Sequence, residues 1–145
     1  MTIIDGLFTG LVIGFITSIP AVISEIVRHG KNLPLLIDVK EIGTHHLKEK
    51  YVLEWSLFLH LGLSAVFGGF YPALVSLGAF ATYSFFSVAL YGLIFYLFFG
   101  LFIFPAIGLG LFGRREGHLV WLELLLTSVL YVAGFWYAAT FLFIS

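Results

Sequence analysis

The chain has no cysteine, and that absence removes disulfides, thiolate metal sites and cysteine nucleophiles together. Charge is scarce too: Asp, Glu, Lys and Arg make up 10% of the 145 residues, against about 25% in an ordinary soluble domain. What fills the space is apolar, with 61% hydrophobic and 19% aromatic residues and a mean hydropathy of +1.09. A small soluble fold keeps much of its surface in water and has nowhere to hide so much apolar area. Composition therefore excludes a soluble enzyme and a disordered chain. The net charge of −1 leaves no basic surface that would take nucleic acid as a partner. The chain reads as an integral membrane protein. Its first residues, Met1 to Gly6, carry Asp5 and no basic residue, so the first apolar run reads as a retained helix and not a cleaved signal peptide.

A membrane span needs about 20 apolar residues. No charge occurs between Gly6 and Ser24, which predicts a first helix over 3–28. From Trp55 to Gly113 there is again no charged residue, a run that suits two helices with a turn near Gly78 to Tyr83. The expected spans there are 53–78 and 83–108. After the polar turn Gly113-Arg114-Arg115-Glu116-Gly117, a fourth helix is expected over 118–143. A β-barrel would alternate apolar and polar residues in segments of about ten, and no such alternation occurs. The expected fold is all-α, a single antiparallel bundle of four transmembrane helices.

All seven Lys and Arg fall in the 25–54 segment or the 113–117 turn. The positive-inside rule places both regions in the cytoplasm and both termini outside. Trp55 and Trp121 then mark the inner interface, while Trp136, Tyr137 and Tyr83 mark the outer one. The cytoplasmic segment 29–52 is the one sizeable extramembrane part. Thr44 is the expected N-cap of a helix that starts at His45 and runs on into the second span, with a simple solvated connector as the equal alternative.

In lipid, helix association depends on close backbone approach. The first helix reads Gly6-x-x-x-Gly10-x-x-x-Gly14 with Ser18 at the same spacing, a stripe suited to helix packing within the chain, to a second copy or to another subunit. Gly92, Tyr96 and Gly100 repeat the spacing in the third helix. Pro20 is expected to bend the first helix.

Three ionisable residues stand out because they fall inside or at the edge of spans: Glu25, His60 and Glu123. His60 lies about 7 Å deeper than Trp55 at helical rise. Ser64, Gly68 and Tyr71 continue its face, and Thr127, Tyr131 and Gly134 continue that of Glu123. Both stripes are expected to point into the bundle. Glu25, His60 and Glu123, with His118 at the boundary, form a candidate polar cluster for a proton or a divalent metal. The competing reading is structural, with the acids paired to Arg28, Arg114 or Arg115 and His60 bonded to a serine or tyrosine. No catalytic, phosphate-loop or nucleotide motif is present, and no residue is expected to be catalytic. A haem would need two facing buried histidines, and His60 alone qualifies.

His60-x-x-x-Ser64-x-x-x-Gly68-x-x-Tyr71, Pro105, and Glu116-x-His118-x-x-Trp121-x-Glu123 resemble the YagU-type small inner-membrane proteins. The glycine-rich first helix ending in Glu25 is similar as well. The Pro-Pro-Arg stretch expected after that helix is missing, and Pro34 alone stands in its place. The resemblance implies a bacterial inner-membrane protein linked to acid resistance. The expected function is thus non-enzymatic proton or ion handling in a multi-pass protein of a prokaryotic inner membrane. No cofactor is expected, and the lipid bilayer is the expected partner. The alternatives are an accessory subunit of a larger membrane complex or a homo-oligomer, and a metal- or haem-binding anchor.

Overall fold

The computed structural model describes residues 1–28, 41–42, 45–46, 49–81, 83–106, 108–115 and 117–143. Helix α1 spans Ile3–Arg28 and α2 spans Glu49–Ser76. Helix α3 (Phe85–Phe98) continues through a π-helical turn, Phe99–Ile103, into the short α4 (Phe104–Ala106). Helix α5 (Val120–Ala138) ends in a second π-helical turn, Ala139–Phe143. Between α1 and α2, β1 (Glu41–Ile42) pairs antiparallel with β2 (His45–His46). Four helical stretches are long and apolar enough to cross a membrane: Ile3–Ser24, Tyr51–Ser76, Phe85–Ala106 and Val120–Phe143. Apart from the two-residue strands β1 and β2, the described elements are all helical.

Local chemistry sets the helix ends. Thr2 and Asp5 form a reciprocal cap on α1: the Thr2 N–H donates to Asp5 Oδ2 at 2.7 Å, and the Asp5 N–H donates to Thr2 Oγ1 at 3.2 Å. Ser84 caps α3 by accepting from the Ser87 N–H at 3.3 Å. Helix α2 starts at Glu49 and not at His45, because His45 and His46 belong to the β ribbon; Thr44 lies outside the described residues. The third span stops at Ala106, ahead of Gly108 with φ at 86°. Pro105 has no N–H for the preceding carbonyls, and the helix widens into its π turn just before it.

α1 and α2 pack antiparallel, face to face. A β-carbon on Gly6 would collide with the Gly68 carbonyl and stand 2.9 Å from Pro72 Cγ. Pro72 lacks the N–H that would bond that carbonyl within α2. At Gly10 a β-carbon would strike the Ser64 carbonyl and come within 2.5 Å of Tyr131 Oη. Ala21, fully buried, meets Leu53 at the far end of the contact. The helix α5 closes on α1 through Gly134 and Ile13, and on α3 through Val132 and Gly92. The main core gathers Ile13, Tyr71, Val88, Tyr91, Tyr131 and Phe135 at the end of the bundle that holds Met1 and the α2–α3 turn. Much of the rest faces outward, including Phe8 at 65%, Phe86 at 79% and Leu142 at 66% exposure. Such a surface suits lipid and not water.

Candidate functional site

His60 sits in α2, half-buried against α1. Its Nε2 lies 3.1 Å from the Gly14 carbonyl oxygen and 3.1 Å from Thr17 Oγ1. A carbonyl only accepts, so Nε2 carries the hydrogen and donates to Gly14 O. Thr17 Oγ1 donates to the same oxygen at 3.1 Å. In the neutral ring this leaves Nδ1 with the free lone pair. The knot depends on a missing side chain. A β-carbon at Gly14 would stand 2.5 Å from Ser64 Cβ and 2.6 Å from Ser64 Oγ, so only glycine brings its carbonyl this close to α2.

The stripe that His60 begins continues along the same contact. Ser64 is buried, and its carbonyl accepts from the Tyr131 hydroxyl of α5 at 2.7 Å. One turn on, Gly68 lies on the backbones of Gly6 and Gly10. The Tyr91 hydroxyl donates to the Phe67 carbonyl at 2.7 Å, and the Tyr71 hydroxyl donates to Ser87 Oγ at 2.8 Å. Three buried tyrosines thereby tie α2 to α5 and α3. At the end of the bundle near Met1, the Tyr83 hydroxyl donates to the Met1 carbonyl at 3.3 Å. Burial pushes that phenol above its ordinary range, with Tyr71 and Asp5 adding to the shift.

The stripe of α5 meets that of α2 at Tyr131 and Ser64. Glu123 lies eight residues before Tyr131, about 12 Å back along the helix. It is half-buried in the first turn of α5, and its carbonyl accepts from Thr127 Oγ1 at 2.9 Å. Glu25 belongs to the last turn of α1, eight residues beyond Thr17 and again about 12 Å along. Its side chain lies outside the described residues, as do His29 and Glu116. His118 is exposed in the turn before α5. The hydrogen-bond partners of His60 are thus Gly14 and Thr17 of α1. Among the described residues no three His, Asp or Glu side chains gather as a metal site.

Sequence reasoning missed Thr17 and the Gly14 carbonyl. Thr17 does lie three residues after Gly14, on the glycine face of α1, and that spacing was the available signal. A backbone carbonyl leaves no signal, because every residue has one. Trp55 and Trp121, both partly exposed near the starts of α2 and α5, share the end of the bundle that carries Arg114 and Arg115. No family model matches the chain, and neither a curated protein nor a solved structure matches it.

Proposed function

We propose that this chain is a non-enzymatic multi-pass protein of a prokaryotic inner membrane that handles protons at His60. In this reading both termini face outward, the segment 29–52 and the 113–117 turn face the cytoplasm, and the YagU-like motifs tie the activity to acid stress. The observation that carries it is one ring placed inside a span. His60 gives its Nε2 hydrogen to the Gly14 carbonyl and keeps a lone pair on Nδ1 for a proton. The α1 groups that touch it, Gly14 and Thr17, are uncharged. From α5 the ionisable residues of the inward stripe are Glu123 and Tyr131, and Glu25 stands farther along α1. Protonation would set an imidazolium between two closely packed helices, where a charge demands a partner or water. Acid would then loosen α1 from α2, or draw one of the two carboxylates towards the ring.

The accessory-subunit reading is the weaker one. It relied on the glycine stripe of α1, and Gly6, Gly10 and Gly14 lie on α2 within the chain. A haem anchor is weaker still, because the second imidazole, His118, is exposed in a turn. The test is a titration of His60 by NMR in the wild type and in the Glu25→Gln and Glu123→Gln variants. A proton-handling His60 takes up a proton as the pH falls and changes the α1–α2 contact as it does so. A ring that stays in one protonation state throughout the acid titration would refute the proposal.

A further inference from the structure

The turn between α4 and α5 carries a second polar feature, independent of His60. Arg114 and Arg115 are both exposed there. Arg115 folds back on the turn: its Nη1 donates to the Gly108 carbonyl at 3.4 Å, and its stem crosses Gly110, where an added β-carbon would stand 3.2 Å from Arg115 Cγ. The turn is firmly seated. Phe112 adopts φ 52°, a left-handed conformation rare for an aromatic residue, and its ring packs into the notch at Gly100 and against Tyr96, 5.3 Å between centroids.

Apolar side chains stand exposed on either side of the cations in the chain: Leu111 at 54%, Leu119 at 51% and Trp121 at 42%. The turn joins two spans, ending at Ala106 and starting at Val120, so its position is the boundary between acyl chains and headgroups. Exposed cations interleaved with exposed apolar groups match both halves of a phospholipid there. A soluble phosphate would use the arginines and leave the leucines and the tryptophan without a role.

From this arrangement we infer that the turn is a binding site for an anionic phospholipid. Its phosphate lies on the Arg114 and Arg115 guanidinium groups, and its acyl chains run beside Leu111 and Trp121. Guanidinium forks suit phosphate oxygens through paired hydrogen bonds.

The test uses the full chain, purified in detergent, with bound lipid counted by native mass spectrometry. Phosphatidylglycerol and phosphatidylcholine with identical acyl chains are offered in equal amounts. The expected preference for phosphatidylglycerol is about fivefold or more, given the contribution of basic residues near an anionic surface. It should fall close to parity in Arg114→Gln/Arg115→Gln and persist in part in Arg114→Lys/Arg115→Lys. Because Arg115 also holds Gly108, the single variant Arg114→Gln is measured too, and a clear drop in that preference is expected. Added inorganic phosphate should leave the lipid bound. Equal binding of the two lipids by the wild type, or an unchanged preference in the double variant, would overturn the proposal. So would displacement of the lipid by inorganic phosphate, which would assign the turn to the free anion.

Discussion

The His60 imidazole donates from Nε2 to the Gly14 carbonyl, 3.1 Å away across the α1–α2 contact. The bond joins the one histidine within a described span to a backbone group that only a glycine could bring so near. Replacing His60 by Gln keeps an N–H donor in reach, whereas Leu removes it. His60→Leu should cost about 0.6–2 kcal/mol of bundle stability, the range for polar contacts between helices in lipid. His60→Gln should recover part of that loss. Both variants should lose the acid response expected of the wild type. Reversible unfolding in mixed micelles at pH 5 and pH 7.5 measures all three effects, and a wild type with the same stability at both values would contradict the response.

Gly10 and Gly62 offer opposite outcomes from the same kind of change. A side chain at Gly10 meets the Ser64 carbonyl, Tyr131 Oη and, at 3.0 Å, Gly68 Cα, all in the α1–α2–α5 contact. Gly10→Leu should therefore destabilise by at least the 1–3 kcal/mol typical of overpacking. At Gly62 nothing lies within 4 Å of an added β-carbon. Gly62→Ala should leave stability unchanged or raise it by up to about 1 kcal/mol through helix propensity. Thermal melts of the two purified variants decide the matter, and equal melting would show that the α1 face tolerates bulk.

Tyr131→Phe removes one hydroxyl and almost no volume. Its 2.7 Å bond to the Ser64 carbonyl is buried, and that carbonyl keeps its helical donor. The expected loss is about 0.5–1.5 kcal/mol, read by the same unfolding assay. A double-mutant cycle with Ser64→Ala should show little coupling, because the accepting atom is the Ser64 backbone and survives the change. Strong coupling would mean that the Ser64 hydroxyl matters to Tyr131 more than its carbonyl does.

The distribution of Lys and Arg predicts the orientation. A reporter fused after Ser145 should lie outside the cytoplasm, and one inserted at Asn32 should lie inside. Alkaline phosphatase and fluorescent-protein fusions at the two sites distinguish the orientations. A cytoplasmic C-terminus would reverse the topology and place the Arg114–Arg115 turn in the outer leaflet.

Hydropathy made the four apolar stretches legible, because burial in lipid is a property of each segment by itself and needs no knowledge of its neighbours. The ends were less legible. β2 takes up His45 and His46 through pairing with β1, a non-local bond that no local cap signal reports. Periodicity likewise showed that His60, Ser64, Gly68 and Tyr71 share a face, as do Glu123, Thr127, Tyr131 and Gly134.

Which residues those faces meet is a different kind of fact. It depends on how each helix is rotated and on the register of α1 against α2, neither of which a single strand of sequence contains. Tertiary packing decided that His60 stands opposite Gly14 and Thr17, and that the two stripes join at Ser64 and Tyr131. The physical reason lies in the glycines. Where Gly6, Gly10 and Gly14 let two backbones touch, the hydrogen-bond partners become main-chain carbonyls, identical in every residue and exposed to a neighbour only by the fold.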